Sequence, residues 1–221
     1  MEFILSQTEE NYLKAIYSIE LQMGHSVSTN RIAERLKTKA SSVTDMIKKL
    51  SDKSLINYKK YQGSSLTPKG KKIAVKIVRK HRLWEVFLVN KLDYNWDEVH
   101  ELAEQLEHIK SDSLTDKLDS YLEYPEYDPH GDPIPDKNGN IVHHSNVMLS
   151  SVAPDSNCVV IGVKDSSSSF LKFLDNANIK LGSFLKVIAM EEFDKSMVIQ
   201  NQLKQFSISH QISKNLFVKK V

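Results

Sequence analysis

The sequence predicts a mainly α-helical protein with a smaller β part at its C-terminal end. Two short helical patterns separated by a tight turn lie within the first 50 residues, and a long helical stretch rich in Lys, His and Glu follows. Short runs typical of β-strands begin near residue 157. Apolar residues spaced three to four apart indicate helices, whereas alternating or short continuous apolar runs indicate strands. The 221 residues are enough for one large domain or two to three small ones.

The composition, with 40% hydrophobic and 26% charged residues, is ordinary for a soluble globular protein. No apolar run approaches the roughly 18 residues that a membrane span needs. The N-terminal residues "MEFILSQTEEN" lack a basic start and a cleavage site, so we expect no signal peptide. Cys158 is the only cysteine, which excludes an intramolecular disulfide and favours a reducing compartment. We therefore expect a cytoplasmic protein that does not contact the membrane.

Charge is distributed unevenly along the chain. Residues 1–80 contain 16 Lys and Arg against 7 Asp and Glu, whereas residues 81–221 contain 14 against 21. The first part therefore carries a formal charge of +9 and the second −7. A basic first third indicates a polyanionic partner such as nucleic acid. Lysine-rich, solvated helix faces would give the same counts, so charge alone leaves both interpretations open.

A helix-turn-helix pattern follows a first amphipathic helix, "TEENYLKAIYSIELQ". Ser28 or Thr29 caps the short helix "NRIAERL", "KTK" forms the turn, and "SSVTDMIKKL" is the second helix. Val43, Ile47 and Leu50 are predicted to face the core. The second helix of this motif enters the DNA major groove. The predicted DNA-contacting residues at its start are Lys39, Ser41, Ser42, Thr44, Asp45 and Lys48.

A β-hairpin is predicted directly after this helix. "LINYKKY" is typical of a strand, Gly63 marks a turn, and Thr67 with Pro68 starts a new helix. A hairpin in this position is the wing of a winged helix, and Lys59 and Lys60 are its candidate phosphate contacts. The alternative is a helical hairpin with a surface β-turn that does not bind DNA.

Imidazole and carboxylate side chains gather on the two helices that come next. The long helix from Thr67 to about Lys91 is followed by "VHELAEQLEHIKSD". Residues one turn apart share a helix face, and two helices joined by a short loop lie antiparallel. Their ligand-bearing faces are therefore predicted to converge, although a solvated surface would explain each pair alone. The residues in question are His81, Glu85, His100, Glu104, Glu107 and His108.

Several segments resemble the DtxR/MntR family of metal-dependent transcriptional repressors. They are "TEENYLKAIYSIE", "RIAERL", "SSVTDMIKKL", "LTPKGKKIA", "KHRLWEVFL", "VHELAEQLEHIKSD" and "HGDPIP". The resemblance implies a winged-helix domain at residues 1–72 and a helical metal-binding and dimerisation domain, with a Pro/Gly-rich linker, at 73–145. It implies an SH3-like, FeoA-like small β-barrel at 146–221. It also implies a homodimer that binds operator double-stranded DNA when loaded with Mn²⁺ or Fe²⁺.

The resemblance also assigns two metal sites. The primary site would use Asn11, Glu104, Glu107 and His108, and the ancillary site would use His81, Glu85 and His100. Iron-responsive members carry Met at the position of Asn11 and Cys at that of Glu104, so Glu104 is the manganese-type residue. Some manganese-type members have a second glutamate where this chain has Lys14, which argues against a closely spaced pair of metal ions. Oxygen and imidazole donors without sulfur suit Mn²⁺, with Fe²⁺ as the alternative and Zn²⁺ or Co²⁺ as further ions in vitro.

The last part of the chain predicts a linker and a small barrel. "YPEYDPHGDPIPDKNGN" indicates an ordered turn followed by a linker, after which His143 and His144 are expected in solvent. "CVVIGVKD", "FLKVIAMEE", "SMVIQN" and "LFVKKV" are predicted strands, with a helix in "SSFLKFLDNANI" and Cys158 buried. The barrel ligands of iron-type members have no clear match, because Ile161 and Lys164 fall near those positions and Asp165 is the nearest carboxylate.

The predicted function is a metal-switched DNA-binding repressor that controls metal-ion homeostasis and is not an enzyme. Dimerisation is expected through the apolar face of residues 83–92 and the stretch from Trp96 to Leu106. One alternative is a winged-helix regulator that does not respond to metal. Another is a carboxylate-bridged metalloenzyme, which needs Glu-x-x-His on each of two helices. Only Asp97-x-x-His100 approximates that motif.

Overall fold

The computed structural model describes residues 5–24, 26–59, 62–141 and 147–221. The helices are α1 (Gln7–Met23), α2 (Thr29–Arg35), α3 (Ala40–Asp52), α4 (Pro68–Leu92), α5 (Val99–Leu106), α6 (Asp112–Tyr121), α7 (Ser168–Asn176) and α8 (His210–Ser213). The strands are β1 (Ile56–Lys59), β2 (Gly63–Leu66), β3 (Val147–Met148), β4 (Asn157–Val163), β5 (Phe184–Met190), β6 (Met197–Gln200), β7 (Gln205–Ile208) and β8 (Leu216–Lys220). The mainly helical class with a C-terminal β part is confirmed.

The chain divides into two compact units. The first comprises Met1–His81, Glu104–Asp116 and Pro135–Asn140, and the second comprises Arg82–Ala103, Lys117–Ile134 and Ile141–Val221. Within the described ranges, no helix combines the length and apolar character needed to cross a lipid bilayer.

The first unit is built on α1, the helix-turn-helix and the hairpin. A capping box starts α1: Glu9 donates its backbone N–H to the Ser6 side chain, while the Glu9 carboxylate accepts the backbone N–H of Ser6. Gly24, in the left-handed conformation with φ 69°, ends the helix. The core of this unit gathers apolar residues from α1, α2, α3 and the first part of α4, with Leu13, Ile16 and Ile32 fully buried.

The winged helix-turn-helix predicted from the pattern is present. Val43, Ile47 and Leu50 of α3 are fully buried, as their spacing predicted. β1 and β2 pair antiparallel from Ile56 opposite Leu66 to Lys59 opposite Gly63, which forms the wing hairpin. α4 begins at Pro68, and the Thr67 hydroxyl accepts the backbone N–H of Gly70 as an N-terminal cap.

The second unit contains a six-stranded antiparallel sheet in the order β3-β8-β4-β5-β6-β7. Register shifts interrupt the β4–β8 ladder between Val160 and Gly162, and the β5–β6 ladder between Val187 and Ala189. Such bulges bend strands and increase their twist, which lets a small sheet curl around its core. Leu171, Leu174 and Cys158 are fully buried in that core, so the burial predicted for Cys158 is confirmed.

One local prediction was wrong, and two local features were not predicted. The helical pattern was expected to run through residue 112, but α5 ends at Leu106, so Glu107 and His108 lie in the turn after it. The polar helix α6 was not predicted, because Leu114 and Leu118 are the only aliphatic residues in it; its signal was Ser111, whose hydroxyl accepts the N–H of Leu114. The segment around residues 128–134, which was predicted as an ordered turn before a linker, is largely buried, and its burial was not predicted.

Gly70 is predicted to be intolerant of any side chain. A Cβ at this position of α4 would lie 2.0 Å from the carbonyl oxygen of Leu55, so Gly70→Ala must push the two backbones apart. We expect Gly70→Ala to lower the free energy of unfolding by about 3 kcal/mol or more, which outweighs the helix-propensity gain of about 1 kcal/mol. Gly24→Ala is the matched control: it meets no atom within 4 Å and should cost only the roughly 1–2 kcal/mol of the left-handed conformation. Urea unfolding of both variants checks the difference; equal losses would contradict it.

Candidate metal centres and nucleic-acid interface

The N-terminal end of α3 is open to solvent. Lys39 is its N-cap residue and makes no side-chain capping bond, and no acidic residue lies in the first turn. The free N–H groups and the positive end of the helix dipole therefore face outward, as in helices that contact phosphate. Ser41, Ser42, Asp45 and Lys48 are exposed, and the Thr44 hydroxyl donates to Ala40 O at 3.0 Å, which leaves its oxygen able to accept.

The wing adds a further cation to the same unit. Lys59 is exposed at the end of β1, whereas Lys60 lies outside the described residues. The backbone of Val27, just before α2, pairs with Ser64 of β2 in both directions at 2.8 and 2.9 Å. The wing is thereby anchored to the helix-turn-helix, so α3 and Lys59 belong to one rigid surface.

Glu107 is the centre of the first cluster, which lies wholly in the first unit. Its side chain is 0% exposed. His81 Nδ1 lies 2.5 Å from Oε2, and the Lys14 ammonium donates to the same oxygen at 2.8 Å. The other oxygen, Oε1, is 2.7 Å from the Lys14 nitrogen but accepts no hydrogen bond of adequate geometry among the described residues. Burial by itself raises the pKa of Glu107, but the bond to His81 and the charge of Lys14 outweigh it and hold the pKa below its usual value.

His108 faces the same carboxylate from the turn after α5. Its Nδ1 is 2.6 Å from Glu10 Oε2, and its Nε2 is 3.9 Å from Glu107 Oε1. That second distance is too long for a hydrogen bond. It matches the spacing of two ligands on one ion, because metal bonds to imidazole nitrogen and carboxylate oxygen are each about 2.0–2.2 Å long. Glu10 then holds the ring from the far side, as partners of metal-bound histidines commonly do.

Asn11 and Glu104 complete the predicted primary set. The Asn11 side-chain oxygen is buried and accepts no hydrogen bond within the part of the chain that the structure describes. A buried polar atom without a partner costs about 1–3 kcal/mol, and such atoms are rare unless a ligand or ion uses them. Asn11 lies about one turn before Lys14, so the two residues share a face of α1. Glu104 is 46% exposed and meets the cluster through Lys14, whose nitrogen lies 3.3 Å from its Oε1.

The residues predicted for the ancillary site fall on both sides of the division between the units, because His81 belongs to the first and Glu85 and His100 to the second. His81 contacts Glu107 of the first cluster. Glu85, one helical turn later on α4, is buried in the second unit and pairs there with His100 at 3.3 Å. His100 itself is exposed, so this pair has one buried and one solvent-facing member.

A second cluster, which sequence analysis missed, consists of Glu85, Asp128 and His130. All three are buried, and each offers a ligand atom within 4.8 Å of the others. His130 Nδ1 lies 3.5 Å from Glu85 Oε2, and its Nε2 lies 2.8 Å from the carbonyl oxygen of Trp96. A carbonyl only accepts, so Nε2 carries the proton and Nδ1 faces Glu85. This arrangement, with one ring nitrogen held by a carbonyl, is typical of metal-binding histidines.

Two glycines position this loop on the sheet. A Cβ on Gly131 would lie 2.2 Å from the Cα of Gly162, and Gly131 has φ 86°. The close approach lets the backbone N–H of Val163 donate to His130 O at 2.7 Å. Asp128 Oδ1 accepts the backbone N–H groups of His130 and Asp132 at 2.8 and 2.9 Å. The loop is therefore held both by β4 and by its own Asp128 side chain.

Electrostatics within the second cluster are strongly coupled. Burial raises the pKa of Asp128, and the neighbouring Glu85 carboxylate raises it further. Burial opposes a charged His130, but the hydrogen bond and charge of Glu85 outweigh it and raise the pKa of His130. Two carboxylates and an imidazole therefore share protons in a buried space, and a divalent cation can replace that positive charge.

The signals for the missed residues were weak ones. Glu10 precedes Asn11 and looks like an ordinary first-turn acid. Asp128 and His130 lie in a Pro/Gly-rich stretch, "DPHGDP", whose composition indicates a turn. The useful hint was that Asp and His alternate around Gly131, where a glycine permits close backbone packing. Asp165, the nearest barrel carboxylate, accepts the N–H of Ser167 in its own turn at 2.9 Å.

Comparison with known proteins covers nearly the whole chain. The N-terminal DNA binding domain of the iron dependent repressors matches residues 4–64, and their metal binding and dimerisation domain matches residues 67–136. The FeoA domain matches residues 147–220. A solved manganese-dependent transcriptional repressor in complex with manganese superposes with a TM-score of 0.84 at 33% identity, covering 96% of this chain and all of that one.

Two curated relatives are longer than the regions they share with this chain. A probable metal transport system membrane protein of Chlamydia trachomatis is 36% identical over 138 residues, which cover 60% of this chain and 30% of that protein. The iron-dependent repressor IdeR of Mycobacterium tuberculosis is 35% identical over 131 residues, which cover 59% and 56%. The matches thus span about half or less of these two relatives.

A winged helix whose own unit carries clustered imidazole and carboxylate groups defines a metal-responsive DNA-binding regulator. The domain matches and the full-length structural similarity agree with that class. The chain belongs to the DtxR/MntR family of metal-dependent transcriptional repressors. The family and the fold expected from the resemblance, including the SH3-like barrel, are confirmed.

Lys48 is predicted to bind DNA through phosphate alone. It is exposed on α3. Lys48→Ala should weaken binding to every duplex and make the dependence of log K on log salt shallower by about 0.9, the value of one phosphate contact. Lys49→Ala is the control, because Lys49 turns to Glu9 at 3.3 Å. Fluorescence anisotropy at several salt concentrations measures both; a changed sequence preference with an unchanged slope would contradict the assignment.

Proposed function

We propose that this protein is a cytoplasmic, homodimeric repressor that binds operator double-stranded DNA when Mn²⁺ fills the first cluster. The observation that carries the proposal is a pair of buried oxygens, Asn11 Oδ1 and Glu107 Oε1, in the unit containing the winged helix, which accept no hydrogen bond from the residues that the structure describes. His108 Nε2 faces the second of them at 3.9 Å. Names of similar proteins, among them a manganese-dependent repressor, support the same function.

The residues present fit a divalent ion. Asn11, Glu104, Glu107 and His108 would hold it, with Glu10 orienting His108. A bound divalent cation supplies concentrated positive charge that links several oxygen and nitrogen ligands at once. The donors are mainly oxygen atoms, which are hard ligands and favour Mn²⁺, with Fe²⁺ as the alternative ion. In the usual affinity order Zn²⁺ and Co²⁺ bind such donors more tightly, so the availability of these two ions decides whether they compete.

The site connects two separate stretches of chain. Asn11 lies on α1, which packs in the core shared with α2 and α3, whereas Glu107 and His108 follow α5. Ligands drawn from both stretches fix the orientation of α1, and with it the helix-turn-helix. A ligand shifts such an equilibrium only by its differential affinity for the two states, so the metal must bind the DNA-competent arrangement more tightly.

The second cluster, Glu85, Asp128 and His130, is proposed as a separate metal site in the second unit. His100 is a further donor there through its contact with Glu85 at 3.3 Å. It shares Glu85 with the predicted ancillary set of His81, Glu85 and His100, and that set stays a prediction. This site holds the 128–132 loop against the barrel and therefore serves stability more directly than DNA binding.

A dimer surface is proposed on the outer aromatic face of the second unit. Leu83 and Trp96, which were expected in the interface, are buried within the unit. The accessible part consists of Trp84, Phe87 and Tyr121, whose rings contact each other in sequence at 5.7 and 6.3 Å. Tyr121 is 61% exposed, which is unusual for an aromatic residue that packs on other rings.

The metal switch predicts distinct behaviour for ligand and non-ligand variants. Glu107→Gln and His108→Ala should each abolish the Mn²⁺ dependence of operator binding, because each removes a ligand of the linking ion. Glu101→Gln, an exposed residue of α5, should behave as wild type. Asn11→Met with Glu104→Cys adds sulfur donors and should move activation from Mn²⁺ toward Fe²⁺ or Co²⁺.

Operator fragments selected from random duplexes provide the probe, and binding is titrated against each metal without oxygen, with chelator as the metal-free reference. Circular dichroism confirms that each variant is folded. A folded Glu107→Gln protein that kept its Mn²⁺ response would contradict the assignment of the first cluster.

The aromatic face predicts the oligomeric state. Phe87→Glu buries a charge at the proposed interface and should weaken dimerisation at least tenfold, the equivalent of about 1.4 kcal/mol. Phe193→Glu is the control, because Phe193 is fully exposed on the barrel. Sedimentation velocity over a range of concentrations, with and without Mn²⁺, measures both; an unchanged dimer in Phe87→Glu argues against this surface.

A further inference from the structure

A lysine occupies the carboxylates that the proposed metal requires. The Lys14 nitrogen lies 2.7 and 2.8 Å from the two oxygens of Glu107 and 3.3 Å from Glu104 Oε1. Its side chain is only 15% exposed. One ammonium group thus bridges two of the candidate ligands, and it is nearest to Glu107 Oε1, the oxygen that His108 Nε2 also faces.

We propose that the Lys14 ammonium is an internal cation that competes with the divalent metal for Glu104 and Glu107. In the metal-free chain it neutralises the buried carboxylate, and it thereby sets the metal concentration at which the site fills. The inference rests on the proposed function, because it takes these two glutamates as metal ligands.

The competition follows from charge and space. An oxygen that ligates a divalent ion at about 2.1 Å cannot also keep an ammonium nitrogen in the same direction at 2.7 Å, and two cations so close repel each other strongly in a buried setting. Lysine carries its charge on a flexible four-carbon stem, so the ammonium can withdraw while the stem stays packed. The free energy needed to displace the ammonium makes the binding of the metal less favourable by the same amount.

A second lysine–glutamate pair in the same unit shows what a purely structural pair looks like. Lys53 lies 2.6 Å from Glu9 Oε1, and Glu9 is as buried as Glu107. There the other oxygen, Oε2, accepts the backbone N–H of Ser6, so both oxygens are used by the protein. At Glu107 one oxygen keeps no hydrogen bond among the described residues and faces an imidazole nitrogen, so this pair alone is open to a further ligand.

The difference between the two pairs also predicts an effect on the metal-free protein. Without Lys14, Glu107 would remain buried with His81 as its main partner, and the metal-free chain would lose stability. Metal binding would restore it. Lys14 therefore keeps the metal-free repressor folded, and the same contact raises the concentration of metal needed to switch it.

The test compares Mn²⁺ affinity and thermal stability in Lys14→Met, Lys14→Arg and Lys53→Met. All proteins carry His130→Gln, so that the second cluster does not contribute, and bound Mn²⁺ is measured from the loss of the free-ion electron paramagnetic resonance signal. Lys14→Met should bind Mn²⁺ at least tenfold more tightly and melt at a lower temperature without metal. Lys14→Arg keeps the charge and should bind within a few-fold of the parent. Lys53→Met should lose stability with unchanged Mn²⁺ affinity.

Each result separates this inference from the proposed function. A Lys14→Met protein that loses stability but binds Mn²⁺ no more tightly than the parent shows that Lys14 is structural, and the inference fails while the proposed function stands. If Glu107→Gln leaves Mn²⁺ binding of the parent unchanged, the ligand assignment fails and the inference with it. Should Lys14→Met not fold, Lys14→Gln, which keeps a polar group near Glu107, is measured by the same criteria.

Discussion

The carboxylate of Glu107 has no exposed surface, and an ionised group in such a place must be paired because its desolvation costs several kcal/mol. The first unit meets this requirement with His81 from α4 and Lys14 from α1, two elements far apart in sequence. Their convergence on one carboxylate draws the turn after α5 into the unit that contains the winged helix. Glu107 Oε1 nevertheless accepts no hydrogen bond from the described residues. Glu107 is therefore both a residue that the fold must pair and a candidate metal ligand.

Charge is used differently in the second unit. There Glu85, Asp128 and His130 are buried together. Backbone groups hold Asp128 and His130 in place, and the Arg82 side chain lies 3.6 Å from Asp128 Oδ2. Backbone positioning is rigid, because the loop is pressed against β4 at Gly131 and Gly162. The first cluster draws its positive charge from the long Lys14 side chain, whereas backbone groups fix the loop of the second.

The nucleic-acid surface depends on the core beneath it rather than on its own contacts. Val43, Ile47 and Leu50 lock one face of α3, so the opposite face and the uncapped N-terminus must point to solvent. Exposed Ser and Lys at that end add hydrogen-bonding groups, and the first turn contains no acid that would repel phosphate. The hairpin is tied to the residue before α2, which keeps the surface formed by α3 and β1 in one piece.

Periodicity by itself determined α1, α3, α4 and the hairpin, because one face of each is apolar at the spacing its secondary structure requires. The imidazole and carboxylate groups spaced along the two helices favoured a metal site over a solvated surface, and the resemblance to the family assigned Glu104, Glu107 and His108 to it. The tertiary structure decided which atoms meet. Only the tertiary structure shows that α5 ends at Leu106, that Lys14 forms an ion pair with Glu107, and that Glu10 contacts the ring of His108.

Asp128 and His130 were out of reach of the sequence for a related reason. Their stretch has no periodicity, and its Pro and Gly indicate a turn without saying what the turn packs against. Their burial follows from the close approach of Gly131 to Gly162, 31 residues away in the chain. Local patterns record which face of a helix or strand is apolar. Contacts between distant segments, which bring ligands and counter-charges together, depend on packing that no local pattern encodes.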